Sequence, residues 1–115
     1  MKRMIYLNRK AEDDLVSILI GLLTWKKHFI ELEHAKSYIN DIRRECQSLA
    51  TKNHHFNTTF AIHKRFGSKV HIYNRNKNTQ WYIIYNIDIH GNIFINHITS
   101  NHTTLSEINK LIAFN

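Results

Sequence analysis

Side chains that carry charge or move protons alternate with apolar residues between Val70 and Arg75. His71, Tyr73 and Arg75 occupy every second position, so on a β-strand they share one face. Histidine takes up and releases protons near neutral pH because its unperturbed pKa is about 6.5. Arginine and lysine are suited to stabilising negative charge that develops on oxygen. We therefore expect acid–base chemistry on the cationic face of this strand.

The chain as a whole is basic. Its 115 residues contain sixteen Lys and Arg against nine Asp and Glu, a formal charge of +7, and nine histidines add to this charge when the pH falls. This excess favours a polyanionic partner, such as RNA, DNA or an acidic protein segment. The alternative is that the charge serves only to keep the protein in solution.

Several other functions are disfavoured by the sequence. Cys46 is the only cysteine, so no disulfide forms within the chain, and its position on an apolar helical stripe predicts a buried, inert thiol. The apolar run Val16–Leu23 is too short to span a bilayer, which takes about 20 residues. The adjacent pair His54 and His55, even with His63, lacks the spacing of a zinc motif. We expect a cytoplasmic protein without a membrane partner, a metal or another cofactor.

Three runs rich in β-forming residues predict a meander of antiparallel strands over Val70–Asn74, Gln80–Asp88 and Ile93–Thr99. On the middle strand, alternation places Trp81 and Tyr85 on one face and Tyr82 on the other. A further strand is predicted at Lys2–Leu7, ahead of two amphipathic helices. The first helix is expected to be capped by Asn8, with the apolar stripe Ala11, Leu15, Ile18, Leu19, Leu22 and Leu23, widened by Val16 and Ile20. The stripe of the second helix comprises Ala35, Tyr38, Ile39, Ile42, Cys46 and Leu49.

The remaining segments are shorter. Thr51–Thr59 is predicted to be a polar loop, and Phe60–Gly67 is either a helical turn or an irregular strand, with Gly67 making a sharp turn into the meander. A short closing helix follows Asn101, with Thr104 or Ser106 as its cap and Leu105, Ile108, Leu111 and Ile112 as its stripe. We expect one α+β domain over residues 1–115, with a helical hairpin on one face of a mainly antiparallel sheet and the other face open.

Besides the order of the elements, several short segments within them are informative. The informative segments are Lys10-Ala11-Glu12-Asp13-Asp14-Leu15, His34-Ala35 with Tyr38, Gly67, Tyr73-Asn74-Arg75-Asn76, Thr79-Gln80-Trp81-Tyr82-Ile83-Ile84-Tyr85 and Ile93 to Ile98. In these segments the chain resembles the RelE/ParE superfamily of small toxins from bacterial type II toxin–antitoxin pairs. The resemblance covers about Met4 to His102 and implies a RelE/ParE-like fold.

The resemblance also implies a function. Toxins similar to RelE cut messenger RNA in the decoding site of the ribosome, whereas those similar to ParE poison DNA gyrase, and both pair with a cognate antitoxin that covers the basic face. The expected activity is a metal-independent, ribosome-dependent endoribonuclease that inhibits translation. A gyrase inhibitor and an inactive binding module with the toxin fold stay open as alternatives. The expected partners are a small acidic antitoxin and the ribosome with its mRNA, or alternatively DNA gyrase.

Basic and acid–base side chains lie on the open face of the meander and at the end of the last strand in the cleaving branch. The resemblance therefore suggests His102, His97 and Arg75 as catalytic residues. Contacts with RNA phosphates are expected from Lys64, Arg65, Tyr73, His71 and His63. RNA is cleaved through its own 2′-hydroxyl when a base removes that proton, cations stabilise the phosphorane and an acid protonates the leaving 5′-oxygen.

Overall fold

The computed structural model describes residues 3–24 and 31–113, with side chains described as far as Lys110. In chain order the elements are β1 (Ile5–Leu7), α1 (Arg9–Thr24), α2 (Leu32–Ser48), a 3₁₀ turn (Leu49–Thr51), β2 (Phe56–Asn57), α3 (Ala61–Lys64), β3 (Lys69–Asn74), β4 (Gln80–Ile87), β5 (Ile93–Ser100) and α4 (Asn101–Ala113). The sequence predicts that Trp25 to Phe29 is either the frayed end of the first helix or the connection to the second. That segment, Lys2 and the side chains of Leu111 and Ile112 lie outside the described residues. Within the described ranges, no helix is long and apolar enough to cross a membrane.

The strands form one mixed sheet in the order β1, β5, β4, β3, β2. β1 runs parallel to β5 and the other neighbours are antiparallel, so the α+β class and the meander are confirmed. One strand was not expected: Phe56 pairs with Val70 and Asn57 with Lys69, inside the segment predicted to be a loop. A strand of two residues is too short to show an alternating pattern, which is why the sequence did not reveal it.

Helix α1 begins where its cap was predicted. The Oδ1 of Asn8 accepts a hydrogen bond from the N–H of Ala11 at 2.9 Å. Ala11 and Leu15 are buried against the sheet and α2. The predicted widening of the stripe is wrong, because Val16 and Ile20 are each 54% exposed. The helix therefore has a narrow buried face and leaves its flank free to border a cleft.

Both faces of the sheet are covered, in contrast to the predicted open face. The helical hairpin packs over Trp81, Ile83 and Tyr85, which form the larger core with Ile93 and Ile95. On the opposite face, Val70, Tyr82 and Ile84 pack against Phe60 and Phe66, which flank the helical turn α3. The two aromatic residues on either side of α3 supply the apolar cover that the sequence prediction had left out.

The cationic face of β3 points toward α2, which contradicts the expectation that it is open. His71 Nε2 lies 2.8 Å from Glu45 Oε2, and Arg75 forms an ion pair with Asp41. Tyr73 accepts a hydrogen bond from Arg75 at 3.1 Å. Asp41 and Glu45 stand one turn apart on α2, so they form a matching acidic edge for the strand. The polar side chains of this face therefore join a helix to the sheet.

The last helix begins earlier than predicted. Ser100 Oγ accepts a hydrogen bond from the N–H of Thr103 at 3.1 Å, so Ser100 is the capping residue instead of Thr104 or Ser106. Thr104 is only 1% exposed, whereas Leu105, expected on the apolar stripe, is 56% exposed. Because α4 starts directly after β5, it carries His102 back over the end of the sheet.

Candidate active site

A cleft of about 600 Å³ lies between α1, the end of β5 and the start of α4. Its polar walls come from Lys10, Asp14, Ser17, Thr79, His97, Thr99, Ser100, His102, Thr103 and Glu107, and its apolar walls from Ile18, Leu22, Tyr38, Trp81 and Ile98, with Gly21 among them. A cavity of this size lies within the usual range for sites that bind small ligands.

His97 and Asp14 form the central contact of the cleft. His97 Nδ1 lies 2.7 Å from Asp14 Oδ2, and the same oxygen accepts the N–H of Ile98 at 3.0 Å. Lys10 donates to the other carboxylate oxygen at 3.0 Å. Burial alone would raise the pKa of Asp14, but the hydrogen bonds from His97, Ile98 and Lys10 outweigh it and lower that pKa. Asp14 is therefore ionised near neutral pH and accepts the Nδ1 proton of His97, which leaves Nε2 free to act as a base.

The strand order explains why Asp14 reaches this position. β1 pairs with β5 as far as Leu7 opposite Ile95, and beyond this point no strand among residues 3–24 and 31–113 pairs with the outer edge of β5. The carboxylate of α1 takes the place of a strand partner at Ile98. One side chain thereby covers the strand edge and orients the imidazole next to it.

The ring of His97 is also fixed by packing. Its centroid lies 4.2 Å from that of Phe66, and its side chain is only 14% exposed. Phe66 in turn has the ammonium of Lys10 at 5.3 Å and the guanidinium of Arg65 at 5.7 Å from its ring centre. Two cations therefore lie around the aromatic ring that packs on the imidazole of His97.

His102 stands at the mouth of the cleft. It is exposed on the first turn of α4, and its Nε2 lies 3.4 Å from Thr79 Oγ1, at the upper limit of a hydrogen bond. The structure thus brings together His97 and His102, the two histidines predicted to transfer protons. His97 is held inside the cleft by Asp14, and His102 is exposed at its mouth.

The other predicted site residues lie elsewhere. Arg75 is close to the cleft but behind its wall, with its guanidinium 4.2 Å from the ring centre of Tyr38. Lys64 and Arg65 are exposed and border a separate shallow depression with Ser68 and Asn86. His71 and Tyr73 pack against α2, as described above.

His63, which was predicted to contact RNA, is a core residue. It is 2% exposed, shares a hydrogen bond of 2.9 Å with Thr104 Oγ1 and packs 4.9 Å from the ring centre of Tyr82. Burial is the main cause that lowers the pKa of His63, with the nearby His97 adding to the effect.

Sequence reasoning missed Lys10 and Asp14, which it had assigned to the opening turns of a helix. The pattern that reveals them is a stripe of polar or small residues, Lys10, Asp14, Ser17 and Gly21, spaced four, three and four residues apart beside the apolar stripe. Tyr38 was also missed, because it was counted among the apolar residues of α2. Its hydroxyl accepts the indole N–H of Trp81 at 2.9 Å, and burial raises the pKa of Tyr38.

The charges in the cleft depend on its imidazoles. Lys10 contributes one positive charge and Asp14 and Glu107 one negative charge each, so the sum is −1 with neutral imidazoles and +1 with both His97 and His102 protonated. An anionic substrate therefore binds most favourably when at least one imidazole is protonated. A neutral base beside a protonated acid is the state that combines phosphate binding with proton transfer.

Comparison of the chain with profiles of protein families, with curated proteins and with solved structures gave no match. What the cleft does is therefore argued from its side chains.

Proposed function

We propose that this protein is the toxin of a toxin–antitoxin pair with a RelE/ParE-like fold, and that it cleaves messenger RNA on the ribosome in the cleft of His97 and His102. The observation that carries the proposal is the convergence of these two histidines in one cleft, with Asp14 on Nδ1 of His97. Two imidazoles, one oriented by a carboxylate and one exposed at the mouth of the cleft, match the base and the acid that RNA cleavage requires.

His97 is the base in this proposal. Its free Nε2 takes the proton of the 2′-hydroxyl, and the 2′-oxygen then attacks the adjacent phosphorus. His102 gives its proton to the 5′-oxygen as the bond between phosphorus and that oxygen breaks. The products are a 2′,3′-cyclic phosphate and a free 5′-hydroxyl, and the two imidazoles end with exchanged protonation states. Asp14 stabilises the imidazolium that forms on His97.

The charge on the phosphorane is balanced by groups in or near the cleft. The ammonium of Lys10 lines it directly, and a protonated His102 adds a second positive charge. Arg75 was predicted to act on the phosphate directly. Its guanidinium lies behind the ring of Tyr38, so in this proposal it contributes positive charge from behind the wall of the cleft. Tyr38 and Trp81 offer aromatic surface to a nucleobase beside the reacting phosphate.

The test is cleavage of a defined message by translating ribosomes to which the purified protein has been added, followed by mapping of transcript ends. We expect cuts by the wild type, and a rate lower by about two to four orders of magnitude for His102→Ala, which is the usual effect of losing a general acid. His54→Ala is the matched control, since His54 is exposed and does not line the cleft.

If folded wild-type protein is added to ribosomes that are shown to translate and the message stays intact, the proposal is contradicted. Equal cleavage rates for His102→Ala and His54→Ala would also contradict it. If the message stays intact while DNA supercoiling by gyrase is inhibited, the chain acts as a ParE-like poison instead.

The charge of +7 favours an acidic antitoxin as the partner that neutralises the toxin in the cytoplasm. Co-expression with the product of an adjacent small reading frame tests this part of the proposal.

A further inference from the structure

A second basic cluster lies at the end of the sheet away from the cleft. Arg3 precedes β1, Lys52 and His55 lie between the 3₁₀ turn and β2, and Lys69 opens β3. Tyr85, which contacts His55, is four residues along β4 from Trp81 in the wall of the cleft, roughly 14 Å at the rise of a β-strand. The cluster is therefore separate from the candidate active site.

His55 holds the guanidinium of Arg3 in place. Arg3 Nη1 lies 2.5 Å from His55 Nε2 and 3.4 Å from the carbonyl oxygen of Lys52. Because the guanidinium can only donate, Nε2 accepts, and Nδ1 of the neutral ring donates to the hydroxyl of Tyr85 at 2.6 Å. Burial and then the charge of Arg3 lower the pKa of His55, which agrees with a neutral ring. The imidazole thus positions a cation without compensating its charge.

The three cations of this cluster lack direct carboxylate partners. Among the described residues, Arg3, Lys52 and Lys69 take part in no salt bridge. Lys69 Nζ donates to Asn57 Oδ1 at 2.7 Å, a neutral partner. Lys52 Nζ lies 2.8 Å from His71 Nδ1, and only through that ring does it reach the carboxylate of Glu45. One indirect negative charge therefore faces three positive ones.

An exposed aromatic ring lies beside Lys52, on the two-residue strand whose other residue, Asn57, pairs with Lys69. Phe56 on β2 is 65% exposed, and the ammonium of Lys52 is 5.5 Å from the centre of its ring. Cations next to an exposed aromatic face are the combination that holds single-stranded nucleic acids. An acidic peptide would use the cations but would need an aromatic side chain of its own to cover the ring, whereas every base of a nucleic acid can stack on it.

We propose that Arg3, Lys52, Lys69 and Phe56 form a binding site for single-stranded nucleic acid, in which the cations contact the phosphates and a base stacks on Phe56. The site goes beyond the proposed cleavage, since it binds a strand without acting on it. This proposal and the proposed cleavage can therefore be disproved separately.

The experiment measures fluorescence anisotropy of labelled oligonucleotides of about twelve residues, within the usual range of site sizes. One is 2′-O-methyl oligouridylate, which cannot be cleaved through a 2′-hydroxyl, and the other is oligothymidylate. The full chain is compared with Phe56→Ala and Lys52→Gln. Matched controls are Leu105→Ala, at an apolar residue that is also exposed, and Lys77→Gln, at an exposed lysine in the turn between β3 and β4.

We expect Phe56→Ala to weaken binding of the oligonucleotide by about tenfold, the effect of losing one stacked base. Lys52→Gln should weaken it severalfold and reduce the slope of log K against log salt by about 0.7 to 1. Both controls should bind as the wild type does. The ratio of affinities for the two oligonucleotides then tells whether RNA or DNA is preferred. Because neither oligonucleotide is cleaved, the probes stay intact whether or not the cleft is active, and comparison of each variant with its matched control removes any contribution of the cleft to binding.

Two results would overturn the proposal. The first is binding by Phe56→Ala and Lys52→Gln that stays within twofold of the controls. The second combines two observations. Polyglutamate competes as effectively as unlabelled oligonucleotide at the same concentration of charge, and Phe56→Ala changes the affinity for neither polyglutamate nor the oligonucleotide. Thermal unfolding of each variant verifies that it is folded. If Lys52→Gln is unfolded, Lys69→Gln takes its place, because the partner of Lys69 is the exposed side chain of Asn57.

Discussion

The choice of which nitrogen of His97 is free rests on one carboxylate. If Asp14 orients the base, Asp14→Asn should lower the rate of RNA cleavage by about two to four orders of magnitude, because an amide can donate to Nδ1 and hold the wrong tautomer. The ¹⁵N chemical shifts of the His97 ring should show this change of tautomer directly. Asp13→Asn is the control, since Asp13 is the exposed neighbour on the same helix. Equal loss of activity in both variants, or an unchanged tautomer in Asp14→Asn, would exclude the orienting role.

The buried His63 makes stability depend on pH. Its pKa is lowered in the folded protein, so between that value and the ordinary pKa of about 6.5 the unfolded chain binds more protons. The stabilisation is therefore fully present above about pH 6.5 and is lost as the pH falls through the folded pKa. We expect His63→Gln, which keeps an amide for the hydrogen bond to Thr104, to reduce the loss of unfolding free energy between about pH 7.5 and about pH 5.5. Urea denaturation at the two pH values measures it, and the exposed His54→Gln should behave as the wild type; an undiminished loss in His63→Gln would contradict the assignment.

At the same scale, the sequence predicts chemical type better than placement. The resemblance to the toxin superfamily pointed to His97 and His102, on and just beyond the last strand, and both line the cleft. Arg75 was placed on an open face because alternation shows which residues share a face but not which face meets a helix. The acidic pair Asp41 and Glu45, one turn apart on α2, was the available sign that this face is covered. The role of Asp14 could not be predicted, because Asp14 reaches β5 only where β1 has ended, and no local pattern specifies that end.

Among the elements, α1 has two adjoining stripes with different roles. Its apolar residues pack on the sheet and α2, and its polar or small residues line the cleft. Gly21 belongs to the second stripe, and a Cβ at this position would have no heavy atom within 4 Å. Gly21→Ala should therefore raise the free energy of unfolding by about 0.5 to 1 kcal/mol through helix propensity alone.

A larger residue at the same position separates stability from access to the cleft. We expect Gly21→Leu to keep most of that stabilisation while its side chain narrows the cleft, so that kcat/KM for the message falls. Chemical denaturation and cleavage rates measured on the two variants provide the comparison. Loss of stability in Gly21→Ala would show that the helix is constrained at this point, and unaltered cleavage by Gly21→Leu would place the substrate elsewhere.

Periodicity predicted the long elements closely, missed β2, and left Phe60–Gly67 open between a helical turn, which the structure has as α3, and an irregular strand. The three strands of the meander lie within one residue of their predicted ends, since each carries several alternating apolar side chains. β2 and α3, with two and four residues, carry too few positions for any period to show. Gly67 was predicted to make a sharp turn, but the structure gives a different reason for it: a Cβ there would lie 2.7 Å from the carbonyl oxygen of Tyr85. Close packing of a connection on β4 is a tertiary property, which local turn chemistry does not reveal.

In the whole molecule, the two faces of the sheet are supported unequally. The larger core is shared by α1, α2, β4 and β5, whereas on the second face Phe60 and Phe66 pack over Val70, Tyr82 and Ile84, with His63 beside Tyr82. The cleft opens where these two layers meet, at the unpaired edge of β5. Its inner histidine therefore contacts α1 through Asp14 and the second face through Phe66. Substrate binding in the cleft should stabilise both layers together, because it touches the contacts that join them.

Cys46 offers a measure of that global stability. It is fully buried in the larger core, and burial raises the pKa of its thiol to about 12, so the folded protein should not react with thiol reagents. We expect labelling by an aromatic disulfide reagent to proceed only through unfolding and to be slower than in denaturant by at least about three orders of magnitude, as an opening free energy of about 5 kcal/mol or more implies. Labelling should slow further for Gly21→Ala and on addition of an uncleavable RNA, because both stabilise the folded state. Fast labelling under native conditions would mean that α2 opens locally over the sheet, and the pair of layers that frames the cleft would then not be one cooperative unit.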